Sequence, residues 1–284
     1  MTFIHKGGLN VKKKTVHGIV YFLAFLWCVI TILPLVITFI SSFKNNNEIY
    51  LGLFHLPDIW RVSNYPNAVK TANALRAIGN SLFMAVATTI MVTIVGMMAS
   101  YVLSRKRLFF IKPLNIFFMI GVMVPVHCTL IPISNVASSL HAKDNYWFLL
   151  LVYTTFNLAQ AIFLYTGFMN GIDRGLDEAA IIDGCGDIKL LTKVLTPICK
   201  PIIATEAIFV FIYGYSELIF SLTLISTDVK YTVSRAMLNF TGNHTIDLGA
   251  QFAFVIMAMV PTIVIYLLFH EKVEAGMLSG AVKG

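Results

Sequence analysis

Few groups in this sequence are placed to do chemistry. His127, Asn157, Gln160, Glu206, Glu217 and Gln251 fall inside long apolar stretches, where a polar side chain is costly to keep and an ionisable one by default marks a pathway. The competing reading is an interhelical hydrogen bond, typically worth under ~2 kcal/mol. Asn157 and Gln160 fit both readings equally. Glu206 lies near the end of its stretch and reads as structural, whereas Tyr213, Tyr215 and Glu217 are the groups best suited to line a path. No catalytic set accompanies them: HExxH, GxSxG and the GxxxxGK[ST] phosphate loop are absent. The seven His are scattered, and Cys28, Cys128, Cys185 and Cys199 form neither a CxxC pair nor a zinc-spaced cluster. Neither a catalytic residue nor a metal site is expected.

A second constellation lies between apolar stretches, in DRGLDEAAIIDGCGDIKLLTKVLTPICKP, residues 173–201. Asp173 can cap a helix by accepting free N–H groups of the first turn, and Asp177 and Glu178 lie where the helix dipole favours negative charge. Ala179 and Ala180 keep that helix thin, and Ile181 and Ile182 give it an apolar contact. Asp183-Gly184 then ends it, since Gly takes the positive φ a helix C-terminus often requires. Asp187 is expected to cap a second helix through Leu190, Leu191, Val194 and Leu195, with Pro197 and Pro201 leading into the next apolar stretch. The spacing predicts a helix–turn–helix.

The elements that must position these residues follow from composition. The 284 residues are 57% hydrophobic and 12% charged, against about 25% charged in soluble domains. Runs of about 20 apolar residues are long enough to cross a bilayer as helices. The fold class is therefore an all-α membrane protein with six transmembrane helices, near residues 17–40, 78–103, 111–133, 146–169, 201–225 and 249–270. The first run exceeds the roughly 7–15 residues of a signal-peptide core and reads as a retained span. Asn80-Ser81 is expected to open the second span and Arg105-Lys106-Arg107 to close it.

Lys and Arg accumulate on the cytoplasmic side. Of 21 such residues, 14 fall on the side of the N-terminus and 7 on the other, so both termini are expected in the cytoplasm, as is the 173–201 loop between spans four and five. This accounts for the net charge of +7 without nucleic acid. The organisation is a cytoplasmic tail over 1–16, one transmembrane domain over 17–270 and a second cytoplasmic tail over 271–284. The segment 41–77, with Pro57, Trp60 and Tyr65, is expected along the outer membrane surface.

The EAA stretch, Asp183-Gly184 and the two prolines resemble the EAA loop of ABC-importer permeases. The final VEAGMLSGAVKG, residues 273–284, resembles the C-terminal signature of carbohydrate-uptake permeases similar to the smaller maltose-transporter subunit, the binding-protein-dependent inner membrane components. Tyr215-Ser216 departs from the Trp-Asn that family often carries in span five. The resemblance implies an importer permease in a bacterial cytoplasmic membrane that moves a sugar, a di- or oligosaccharide by family habit, through alternating access. It implies a second permease subunit, an extracytoplasmic solute-binding protein, and an ATPase dimer that holds ATP and Mg, this chain holding no cofactor itself. Glu178, Ala179, Ala180, Asp183, Gly184, Leu191 and Pro197 would couple to that ATPase; Asn157, Gln160, Tyr213, Tyr215 and Glu217 would face the sugar. The alternative is a stand-alone transporter coupled to an ion gradient through Glu206 and Glu217, but no half of the chain mirrors the other as such folds usually require.

Overall fold

In hydrocarbon every peptide N–H and C=O must find its partner within the chain, and among the described residues every regular element is helical. The computed structural model describes residues 7–240 and 247–281, with side chains over 17–240 and 247–269. The lysines at 12–14 and the signature at 273–284 therefore have side chains outside the described residues. The elements are α1 (Gly7–Ser41), α2 (Asn46–Leu51), α3 (Asn64–Ala72), α4 (Ala74–Arg105), α5 (Ile111–Met123), α6 (Leu130–Ser139) and α7 (Tyr146–Asn170). They continue as α8 (Gly175–Ile182), α9 (Asp187–Lys189), a π-helical turn (Leu190–Leu195), α10 (Thr196–Ile198), α11 (Lys200–Ser216), α12 (Ile219–Leu224), α13 (Val233–Ala236) and α14 (Leu248–Ala281). Among the described residues four helices are long and apolar enough to cross a membrane, or up to six if each of two bent pairs is one span.

Three departures from the sequence-based boundaries have local causes. The expected third span is broken: Ile111–Met123 and Val126–Ser139 meet at 95°. Pro125 lacks an N–H and drives its predecessor out of the helical region, and Val124 sits at φ −71°, ψ 122°. The expected fifth span, 201–225, is broken at Glu217, whose extended backbone separates α11 from α12. Asn80 and Ser81 do not open the second span, which begins at Ala74; they tie it to the connection before α13. The Asn80 amide donates to the Val229 and Tyr231 carbonyls at 3.0 and 2.9 Å, and the Ser81 hydroxyl accepts the Val233 N–H at 2.9 Å.

The chain divides into two compact units, Met1–Ala68 with Phe240–Met257, and Val69–Asn239 with Ala258–Gly284. In the second unit α4, α7 and α11 share a core of Val92, Met97, Ala161, Tyr165, Met169, Cys199 and Val210. A Cβ at Gly214 would lie 3.0 Å from the Ala85 Cα, so α11 reaches α4 through a side-chain-free surface, as small residues allow in membrane helix pairs. A clasp closes the connection between α6 and α7: Asp144 accepts the Ser226 and Thr227 N–H groups, both at 3.0 Å, and pairs with Lys230 at 2.7 Å. Burial alone would raise the Asp144 carboxyl, but the hydrogen bonds from Lys230, Thr227 and Ser226 outweigh it and hold it well below the usual carboxylate range.

The first unit is organised around one amide. From His17 to Val36 the side chains of α1 are exposed, and burial begins at Ser41 and Ser42. The Asn45 side chain accepts the Glu48 N–H at 2.9 Å while Glu48 accepts the Asn45 N–H at 2.8 Å, a reciprocal cap that starts α2. Buried Asn64 donates to the Ser42 and Lys44 carbonyls, both at 2.9 Å. Asn46 accepts the Leu248 N–H at 2.9 Å, seating the start of α14 on the same segment. A Cβ at Gly249 would collide with the Lys44 carbonyl oxygen and the Asn64 amide.

Removing the Asn64 amide strands two buried carbonyl oxygens, at a cost of about 1–3 kcal/mol. Asn64→Ala is expected to lower the unfolding temperature of the detergent-purified chain, whereas Asn67→Ala, on the exposed side of α3, leaves it in place.

Candidate functional site

The 173–201 segment folds from locally encoded ends. The Asp173 carboxylate accepts the Gly175 N–H at 3.0 Å, satisfying a donor at the start of α8 as its position predicts. At the other end the Gly184 N–H reaches the Ile181 carbonyl at 3.0 Å and the Cys185 N–H the Ala180 carbonyl at 2.9 Å. That pair is the Schellman pattern, which needs a left-handed residue at its centre, and Gly184 has φ +80°. The second helix differs from expectation. Gly186 occupies its N-cap position and no side chain caps it. The Asp187 carboxylate instead accepts the Tyr101 hydroxyl and pairs with Lys106, each at 2.7 Å. The following turn, Leu190–Leu195, is π-helical. The segment Asp187–Ile198 then meets α11 at 81°.

Burial divides α8 into two faces. Asp177 and Ala180 point inward, and Ala180 packs with Tyr101, Leu190 and Leu195. Glu178, Ala179 and Asp183 are exposed, as are the apolar side chains of Leu176, Ile181 and Ile182, the last at 85%. Half-buried Leu191 packs on the inner side and Pro197 is exposed.

What holds the loop lies partly outside it, and the sequence reading missed it. Arg105 Nε stands 2.6 Å from Asp177 Oδ2, with the two side chains only 5% and 11% exposed. The same guanidinium donates to the Met169 carbonyl at 2.8 Å and the Ile172 carbonyl at 3.4 Å, at the end of α7. Arg174 returns the contact by donating to the Ser104 carbonyl at 3.1 Å. The last turn of α4 thus grips α7, α8 and α9 at once. Arg105 and Lys106 are visible in sequence as a basic cluster closing an apolar run, but nothing local marks Arg105 as the buried member.

The intramembrane candidates separate into groups. Tyr153 on α7 donates its hydroxyl to Glu217 at 2.7 Å and packs edge-on to Tyr213 at 5.7 Å. Glu217 also accepts the Phe220 N–H at 2.9 Å and the Ser221 N–H at 3.2 Å, so its carboxylate starts α12. The Tyr213 hydroxyl is buried and has no hydrogen-bond partner among the described residues. Tyr215 donates to the Ala258 carbonyl at 2.8 Å and stacks on Phe211. Asn157 donates to the Tyr153 carbonyl of its own helix at 2.7 Å. Gln160 is exposed and donates to fully buried Glu206 at 3.3 Å. The structure therefore brings Tyr213 and Glu217 together around the Tyr153 side chain, which the sequence reading did not single out, while Asn157, Gln160 and Tyr215 bond to other groups. The signal for Tyr153 was its place one turn before Asn157.

Residues 92–278 match the family described as binding-protein-dependent transport system inner membrane component. The trehalose transport system permease protein SugB of Mycobacterium tuberculosis is 31% identical over 260 residues, covering 89% of this chain and 93% of its own. The diacetylchitobiose uptake system permease protein NgcG of Streptomyces coelicolor is 29% identical over 263 residues, covering 92% of this chain and 87% of its own. A chain from the crystal structure of a bacterial ABC transporter involved in the import of the acidic polysaccharide alginate superposes with a TM-score of 0.78 at 19% identity. That overlap covers 95% of this chain and 99% of the other, and it shows a shared fold.

A buried pair stripped of one partner leaves a charge without compensation, at a cost of about 3–5 kcal/mol. Arg105→Met is therefore expected to lower the unfolding temperature sharply. The double variant Arg105→Met/Asp177→Leu is expected to be more stable than Arg105→Met alone. Losses that simply add in the double variant would show that the two residues act independently.

Proposed function

The chain belongs to the binding-protein-dependent transport system inner membrane components, as a carbohydrate-uptake permease of the ABC-importer type, and we propose that it carries a di- or oligosaccharide by alternating access. In this reading it sits in a bacterial cytoplasmic membrane with both termini inside. The distribution of Lys and Arg supports that orientation. The chain works with a second permease subunit, an extracytoplasmic solute-binding protein and an ATPase dimer that holds ATP and Mg. The relatives' own systems, for trehalose transport and diacetylchitobiose uptake, support a short saccharide as cargo.

The observation that carries the reading is the two-faced α8. Its inner face is fixed to the spans through Asp177 and Ala180, while its outer face offers Glu178, Ala179, Ile181 and Ile182. Exposed isoleucines on a short, firmly held helix are what a docking element needs: apolar area to bury and a rigid mount. Docked on the ATPase, α8 is displaced as the nucleotide site closes. Arg105 carries that displacement into α4 and the end of α7 without a hinge between them. The coupling is then a two-state equilibrium biased from a distant site. Asp183 and Gly184 end the docking helix, and Leu191 and Pro197 shape its return into the membrane. The path is expected to be lined by Asn157, Gln160, Tyr213, Tyr215 and Glu217. Among them Tyr213 has a buried hydroxyl with no partner among the described residues, a group left over for a sugar hydroxyl.

Mild-detergent purification of the tagged chain from its native membrane is expected to recover an ATPase and a second permease, identified by mass spectrometry. In reconstituted vesicles Gly184→Val is expected to insert normally yet abolish ATP-driven sugar uptake, because a β-branched residue is strained at φ +80°. Normal uptake by that variant would sink the docking argument. Sugar transport by the chain alone, without ATP, would instead point to Glu206 and Glu217 as ion-coupling groups.

A further inference from the structure

The end of α4 and the start of α5 carry four cations in RKRLFFIK, residues 105–112, and the fold divides them. Arg105 is committed to Asp177 and Lys106 to Asp187. Arg107 and Lys112 are exposed and have no partner among the described residues. Between them Leu108, Phe109 and Phe110 are exposed too, Phe109 at 95%. Cations that bracket bare aromatics suit neither water nor hydrocarbon alone. They suit the boundary, where a charge meets headgroups and a ring meets acyl chains. Beside this segment a groove of about 170 Å³ runs between α5 and α7. Its lining is graded. Asn115 near the start of α5, with Thr166 and Asn170 near the end of α7, forms one end; Phe118, Met119 and Phe163 lie about a turn deeper on the same helices. No acidic residue lines it. The Asn115 and Asn170 amides have no partner among the described residues, and the Thr166 hydroxyl is buried without one. Elsewhere on α7 Thr154 and Thr155 donate theirs to the Leu150 and Leu151 carbonyls, each at 2.8 Å. Lys112 precedes Asn115 by three residues and so shares its face of α5.

We infer that this groove and its two outward cations form a site for one anionic phospholipid of the cytoplasmic leaflet. The phosphate faces Lys112 and Arg107, each cation near an anionic surface contributing about fivefold in affinity. The carboxamides of Asn115 and Asn170 offer donors to the glycerol and ester oxygens below the phosphate. Phe118, Met119 and Phe163 take the first part of an acyl chain. The volume is below the roughly 300 Å³ at which a pocket begins to enclose a whole small ligand, and it suits one end of a molecule whose tails stay in the bilayer. A free phosphate has no use for the apolar end of the groove or for exposed Phe109; a lipid uses both. The inference rests on the importer reading for its leaflet alone, since the proposed orientation puts these ends of α4, α5 and α7 inside. One short stretch then serves two surfaces: Arg105 and Lys106 hold the 173–201 loop, and Arg107 and Lys112 hold the lipid.

The test uses the complex purified in mild detergent and stripped of lipid, with dioleoyl phosphatidylglycerol and dioleoyl phosphatidylcholine as probes. Native mass spectrometry measures their binding to wild type, Lys112→Ala and Asn115→Leu. Wild type is expected to hold phosphatidylglycerol about tenfold or more tighter than phosphatidylcholine, and each variant to lose about fivefold toward phosphatidylglycerol. Unfolding temperatures without lipid are expected to stay in place, because neither side chain has a partner to lose. Equal phosphatidylglycerol binding in all three, or equal binding of the two lipids by wild type, overturns the site. Displacement of the lipid by inorganic phosphate at equal concentration also overturns it, making the site one for a free anion. A photoreactive benzoylphenylalanine in place of Phe109 is expected to cross-link to lipid in nanodiscs; cross-linking to a partner subunit instead makes this face a protein interface and overturns the proposal. Extra labelling of Lys112→Cys over wild type by an impermeant maleimide outside intact cells overturns the orientation and the inner leaflet with it, a failure distinct from loss of lipid selectivity.

Discussion

A peptide group left without a partner in hydrocarbon costs several kcal/mol, and the architecture of this chain is organised around that penalty. Where the helices are unbroken the backbone satisfies itself. Where they break, a side chain takes over. At the end of α11 the Glu217 carboxylate accepts the N–H groups of Phe220 and Ser221 that the broken helix no longer serves. At the mouth of α4 the Asn80 amide and Ser81 hydroxyl serve the irregular segment before α13. Polar residues that interrupt apolar runs can therefore stand in for missing backbone partners as well as mark a path. Glu217 and Asn157 illustrate how the two uses look alike in a sequence.

That ambiguity marks what the sequence discloses. Helix ends coded by neighbouring residues were readable: Asp173 at the start of α8 and Gly184 at its end do what their types and positions require. Long apolar runs without proline, such as 146–169, were readable to within a residue. The bend after Met123 was misread because Pro125 and Pro132 sit in a stretch whose mean hydropathy passes for a continuous span, and hydropathy carries no direction. Asp187 was misassigned for a different reason. Its type suits a cap, but Tyr101 and Lys106 arrive from a remote part of the chain and outbid the local donors. Arg105 and Asp177 show the same limit. Each has a sufficient local explanation, as an inside charge and as a first-turn acid, and only the fold reveals that they are partners.

The two units handle polarity differently. In the second, several buried polar groups join elements distant in sequence, as Ser81 does with Val233, Ser100 with Ile162 and Glu217 with Tyr153. In the first, amides cluster, with Asn45, Asn46 and Asn64 organising one short segment. An asparagine both gives and receives hydrogen bonds, so a cluster of them can brace irregular backbone from several directions at once.

The grip of α4 has a consequence for how such a chain tolerates genetic change. Three of the oxygens joining α4 to the loop region, those of Met169, Ile172 and Ser104, belong to the backbone. Every amino acid carries that oxygen, so substitutions at 169, 172 and 104 can repack the neighbourhood without deleting the acceptor. Vulnerability concentrates in the side chains that reach those atoms. Drift can rewrite most of this junction silently, while Arg105 and Asp177 can leave it safely only together.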